Sequence, residues 1–111
     1  MCFRFKQMQN EDIAVFINEM FEILASNMNV IAPTGNSYDA DFKIWSECVV
    51  PVWREGKRLV ILIFCEDTLC GFFQYFVNYK TFRMDEIQFK KEYQGCGLFA
   101  ELYHYLTTII P

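Results

Sequence analysis

Leu59-Val60-Ile61-Leu62-Ile63-Phe64-Cys65 is an unbroken apolar run rich in β-branched residues. It has the length of a strand, and its lack of alternation fits a strand buried on both faces. Such a strand needs neighbours, and the following residues supply them. Glu66-Asp67-Thr68 reads as a turn, Leu69 to Val77 as a second strand, Asn78 to Thr81 as a turn, and Phe82 to Lys90 as a third strand. Gly71, inside the second of these, marks a bulge or a close backbone approach. The three strands form an antiparallel meander.

On the N-terminal side the period changes. Ile13, Phe16, Ile17, Met20, Phe21 and Leu24 fall at helical spacing behind Asn10-Glu11-Asp12, which suits a capped helix start with acidic residues in its first turn. Asn27 to Asn36, with Pro33 and Gly35, reads as a loop. Ser37 is placed to cap a second helix, whose apolar positions are Phe42, Trp45, Val49, Val52 and Trp53, with a kink or break expected at Pro51. Phe3 to Met8 suits a short first strand. On the C-terminal side, Lys91 to Gly97 forms a loop into a last helix faced by Leu98, Leu102, Tyr105, Leu106 and Ile109, and Pro111 closes the chain. The order is β-α-α-β-β-β-α. That predicts an α+β fold, a mostly antiparallel sheet covered by helices.

Composition narrows the possibilities. The 111 residues fit one domain, 1–111, with no repeat, low-complexity tract or linker. Twelve Phe, six Tyr and two Trp are more aromatic surface than so short a chain hides easily, so some are expected at a ligand groove or subunit interface. The net charge of -4 disfavours nucleic acid as a partner. No apolar run approaches the roughly 20 residues of a membrane helix, and Met1 to Lys6 is too short and charged for a secretory signal core. Five cysteines without a Cys-x-x-Cys pair, and a single histidine, His104, are read as reduced thiols in a cytoplasmic protein that binds no metal. Cys65 and Cys70 flank a hairpin turn and are expected free.

The chemistry is concentrated in Ile87-Gln88-Phe89-Lys90-Lys91-Glu92-Tyr93-Gln94-Gly95-Cys96-Gly97-Leu98, a strand running into a Gly-rich turn that opens a helix. Glycines reach backbone conformations closed to other residues, and a helix start offers unsatisfied N–H groups and a positive dipole end. A phosphate or pyrophosphate is the natural guest. The plainer reading is a strand-to-helix turn whose glycines serve geometry alone. Gly95-Cys96-Gly97-Leu98-Phe99-Ala100 also carries the letters of a dinucleotide fingerprint, but that motif needs a βαβ unit and an acidic residue about 20 positions on. The preceding strands read as hairpins, and the chain ends too soon.

Glu92-Tyr93-Gln94-Gly95-Cys96-Gly97-Leu98 resembles the acetyl-CoA loop of the GNAT superfamily of N-acetyltransferases, where Gln/Arg-x-x-Gly-x-Gly/Ala follows the fourth strand and starts the third helix. Gln94 and Gly97 match the first two positions of that motif. The element order resembles the N-terminal part of the same fold, without its C-terminal strands. The third position is Phe99 instead of a small residue, which either crowds the loop or passes its role to Ala100.

The resemblance implies acetyl-CoA as cosubstrate and acetyl transfer to a small-molecule or peptide amine. It implies that the cofactor's pantetheine arm pairs with the fourth strand near Gln88, Phe89 and Lys90. It further implies that the amides of Gln94, Gly95, Cys96, Gly97 and Leu98 hold the pyrophosphate. Asp85 and Glu86 are the candidate bases, their bland alternative being solvated edge carboxylates. Tyr103 and Tyr105 do not match the family's general acid and read as core or groove aromatics. Cys96 reads as a small side chain at a variable position, with a reactive thiol beside the cofactor as the alternative. His104 and the Lys90-Lys91 pair read as solvated. An unpaired fourth-strand edge and an uncovered apolar face point to a homodimer. The second functional reading is an inactive half-domain acting as a dimerising or ligand-binding module.

Overall fold

The computed structural model describes residues 3–31 and 34–110, so Cys2, Pro33 and Pro111 lie outside the described residues. The elements are β1 (Phe3–Gln7), α1 (Asn10–Ile31), α2 (Tyr38–Arg54), β2 (Leu59–Cys65), β3 (Thr68–Val77), β4 (Phe82–Phe89) and α3 (Leu98–Ile109). They follow the α+β order read from the sequence. The strands form one fully antiparallel sheet in the order β1-β2-β3-β4.

The apolar run of β2 is buried on both faces because helices cover both. Val60, Leu62 and Phe64 point with Leu69 and Phe72 of β3 towards α1 and α2, where Ile13, Met20, Ile23, Val49 and Trp53 meet them. Ile61 and Ile63 point the other way, with Cys70, Phe73 and Tyr75, onto Leu98, Leu102 and Leu106 of α3. Alternate residues of one strand thus feed two cores.

Two bulges shape the meander. Between β2 and β3 the register steps from Ile63↔Gly71 to Phe64↔Leu69, leaving Cys70 as the extra residue. Between β3 and β4 it steps from Gln74↔Glu86 to Tyr75↔Met84, leaving Asp85 as the extra residue. Gly71 also meets the close approach expected of it. A Cβ built there lies 2.6 Å from the Gln88 carbonyl oxygen and 2.8 Å from Cδ1 of Phe89.

The end of α1 and the course of α2 at Pro51 differ from the sequence reading. Asn27 belongs to α1, not to a loop. Its side chain reaches β4, and those tertiary hydrogen bonds override the weak helix propensity of asparagine. Pro51 does not end α2, which runs on to Arg54. Proline forgoes one helical hydrogen bond, but Val49 and Trp53 on either side are buried against the sheet, and Glu55 N–H still bonds to Pro51 O. The start of α1 is capped by Asp12 from inside its first turn, accepting the Gln9 N–H at 2.8 Å. Ser37 caps α2 as expected, accepting the Ala40 N–H.

Candidate functional site

The C-terminal end of β4, the glycine loop and the start of α3 form one continuous surface. Lys90 N–H bonds to Cys70 O, so by alternation the main-chain groups of Gln88 and Lys90 face β3, and those of Ile87 and Phe89 face the uncovered edge. Of the three residues expected to pair with a cofactor arm, only Phe89 therefore presents its main chain outward. Its carbonyl accepts from Asn27 Nδ2 at 3.0 Å and from Gln94 Nε2 at 3.1 Å. That leaves its N–H as the outward-facing group.

After β4 the chain makes one 3₁₀ turn, Lys91–Tyr93, and then reaches Gly95 at φ +78° and Gly97 at φ +86°. Both glycines are needed for these left-handed angles. A Cβ on either would meet open space, so the protein does not fill the region beside them. Tyr93 and Gln94 donate their amides within the 3₁₀ turn, and Glu101 is the first residue of α3 to bond back, to Gly97 O. Among the described residues no acceptor takes the amides from Gly95 through Ala100. A helix leaves its first amides free, and the two glycines add more donors to the same place. Cys96 is exposed, and its thiol turns back to donate to Tyr93 O.

The two candidate carboxylates occupy different environments. Asp85, at the bulge, takes Arg83 Nε on Oδ1 and Arg83 Nη2 on Oδ2 at 3.2 Å, with Arg58 Nε also 3.2 Å away. The Arg83 hydrogen bonds hold its carboxyl below the usual carboxylate range, with the charge of Arg58 a lesser contribution. Glu86 faces α1 and α2 instead, where Gln74 and Gln88 donate to it and no cation stands close enough for an ion pair among the described residues.

Phe99 does not lie over the loop. It is half-exposed and lines an apolar groove between α3 and β4 with Phe82, Met84, Leu102 and Tyr103. Ala100 lies on the other flank of α3, in a depression with Phe5, His104 and Tyr105. Tyr105 stacks on Phe5 with ring centroids 5.0 Å apart, and the exposed Tyr103 lines the groove, as the core-or-groove reading of the two tyrosines has it. His104 is exposed.

Sequence reasoning missed Asn27 and Gln74 as polar partners of β4, and Trp53 as the donor to Gln74. Gln74 carried a readable signal: a lone amide among Phe72, Phe73, Tyr75 and Phe76 in a buried strand needs a hydrogen-bond partner.

Neither a protein-family model nor a curated protein matches this chain by sequence. Solved structures do match it in shape. The chain aligns over 98% of its length with 72% of PaiA N-acetyltransferase from Thermoplasma acidophilum in complex with coenzyme A, at 16% identity and a TM-score of 0.68. An acetyltransferase from Thermus thermophilus gives 97% and 69% coverage, 14% identity and a TM-score of 0.66. An aminoglycoside acetyltransferase from an uncultured soil metagenomic sample, in complex with sisomicin, gives 96% and 68% coverage, 10% identity and 0.67. The likeness covers the whole arrangement, a four-stranded antiparallel sheet between two helices and one in the order β-α-α-β-β-β-α. The chain has the GNAT-like fold of these acetyltransferases.

Proposed function

We propose that this chain is a GNAT-type acyltransferase domain that binds acetyl-CoA and transfers its acetyl group to a primary amine. The observation that carries the reading is the run of amides from Gly95 to Ala100 without an acceptor among the described residues, beside open space at two left-handed glycines. That donor set fits a pyrophosphate. Gly95 to Leu98 would hold it, without the Gln94 amide, which already donates to Lys91 O. The outward N–H of Phe89 would meet the pantetheine arm, with Lys90 lending its side chain and without Gln88, whose side chain is engaged by Glu86 and Asn27. When bound, acetyl-CoA would supply a thioester acyl carbon to which the amine nitrogen bonds while the carbon–sulfur bond breaks and coenzyme A leaves as its thiolate. Holding the two reactants together supplies much of the acceleration. Glu86 takes the amine proton. Asp85, engaged by two guanidinium groups, suits a structural role at the bulge better than proton transfer.

Isothermal titration of the purified chain with acetyl-CoA tests this, with desulfo-CoA and NADH as controls. Saturable binding abolished by Gly97→Trp, in a variant that keeps its circular dichroism, supports the site. No heat and no thermal stabilisation of the folded chain sinks it.

A second reading rests on the groove. Phe82, Met84, Phe99 and Tyr103 expose large apolar surface next to the unpaired edge of β4. Those features suit a non-catalytic module that works through a homodimer or through a ligand in the groove. Acetyl-CoA binding without turnover of any amine would favour it.

A further inference from the structure

Glu86 sits in the middle of a side-chain hydrogen-bond chain that spans four elements. Trp53 Nε1 of α2 donates to Gln74 Oε1 of β3 at 2.9 Å, and Gln74 Nε2 donates to Glu86 Oε1 at 2.8 Å. From the other side Gln88 Nε2 donates to Glu86 Oε2 at 3.1 Å, and Gln88 Oε1 accepts from Asn27 Nδ2 of α1 at 2.9 Å. Asn27 Nδ2 also donates to Phe89 O, the carbonyl that receives Gln94 of the glycine loop.

Donor and acceptor chemistry fixes the direction of every link. An indole N–H only donates, so Gln74 must turn its oxygen to Trp53 and its NH₂ to Glu86. A main-chain carbonyl only accepts, so Asn27 turns its NH₂ to Phe89 and Gln88, and Gln88 in turn points its own NH₂ at Glu86. Both halves of the chain converge on one carboxylate. Gln74 is fully buried with both amide ends used, so it cannot rotate without orphaning a polar atom. An ionised carboxylate has about four acceptor positions, and the chain engages both oxygens once each. The remaining positions are what an incoming amine would meet.

We infer that Gln74 and Gln88 are positioning residues for Glu86, and that Asn27 ties this carboxylate to the glycine loop through the Phe89 carbonyl. The role of Glu86 as proton acceptor rests on the acyltransferase reading; the coupled chain of bonds does not. Loop and carboxylate then move as one unit, so events at the loop are felt at Glu86 and as far as Trp53.

The chain contains two tryptophans, Trp45 and Trp53, so its indole N–H signals in a nitrogen–proton correlation spectrum number two. Asn27→Ala and Gln88→Ala, both on part-buried sites, spare the fully buried Gln74 and should fold. Each is expected to shift the Trp53 indole signal more than that of Trp45. With acetyl-CoA and an accepted amine, Gln88→Ala is expected to lower kcat tenfold to about a hundredfold while leaving the KM for acetyl-CoA unchanged. An unmoved Trp53 signal in both folded variants overturns the coupling, whatever the cofactor does. An unchanged kcat in Gln88→Ala overturns the positioning role. Failure of the wild-type chain to bind acetyl-CoA removes the acyltransferase reading alone, and the indole signals still decide the coupling.

Discussion

Arg83 grips Asp85 at two points two residues apart on the same strand, its Nε on Oδ1 and its Nη2 on Oδ2. The pair sits where the β4 register slips. A bulge leaves a residue without a ladder partner, and here the unpaired residue's side chain is fixed instead by a planar, bidentate contact. Asp12 plays a similar part at the start of α1, where the Lys6 ammonium bonds it at 2.8 Å and the Gln9 N–H caps it.

Both carboxyls are held below their ordinary range, Asp85 chiefly by its Arg83 hydrogen bonds and Asp12 chiefly by its Lys6 hydrogen bond. The sign follows directly. A carboxyl depressed in the folded state contributes stability above its unfolded pKa, about 4, and loses that contribution as pH falls through the lowered folded value. The melting temperature of the wild type is therefore expected to fall between about pH 4 and the acid limit. Asp12→Asn should flatten part of that fall. A slope identical in wild type and Asp12→Asn would contradict the assignment.

Gly71→Ala should destabilise the sheet. Gly71 and Phe89 face each other as a pair without mutual main-chain bonds, the geometry that brings strands closest. The added methyl lands 2.6 Å from a carbonyl oxygen, which cannot swing aside as a side-chain tip can. An overpacking cost of about 1–3 kcal/mol is expected in urea unfolding. Gly95→Ala, where a Cβ meets nothing, is expected to cost less, only the strain of a left-handed angle of about 1–2 kcal/mol. Equal losses in the two variants would refute the distinction.

The apolar groove and the open edge lie side by side, so one partner copy can cover both. Sedimentation at micromolar concentration is expected to show a dimer, and Met84→Lys, which places a charge on the half-exposed groove wall, is expected to shift it to monomer without loss of fold. A well-behaved wild-type monomer would contradict this.

The fold was legible in the chain because its main elements carry distinct apolar patterns. β2 is uniformly apolar, α1 and α2 show helical spacing, and Gly71 marked its bulge and close contact. What failed was local propensity set against tertiary contact. Asn27 looked like a loop residue and Pro51 like a kink or break; α1 extends past Asn27 and no break occurs at Pro51, both helices being held by contacts with the sheet. The site was legible only at its backbone. Gly95 and Gly97 announced their left-handed angles, because no other residue takes them cheaply. The link behind Glu86 was hidden because Asn27 and Gln88 are 61 positions apart, and only the folded sheet brings them together. Phe99 could not be placed from the motif alone, since which flank of α3 it occupies depends on helix phase.

Thiol labelling separates the cysteines and reports on the loop at once. Cys70 is fully buried, and burial pushes its thiol up to about 11, so at neutral pH it is both shielded and protonated. Cys48 and Cys96 are exposed, on α2 and in the glycine loop respectively. Brief alkylation of the native chain near pH 7.5, read by peptide mass mapping, is therefore expected to modify Cys48 and Cys96 and to spare Cys70. Acetyl-CoA bound across the Gly95–Leu98 amides would cover Cys96 and leave Cys48 untouched. Selective slowing of Cys96 by acetyl-CoA, with Cys48 as the internal reference, is the expected result. Equal rates at both cysteines under saturating acetyl-CoA would place any bound cofactor away from this loop.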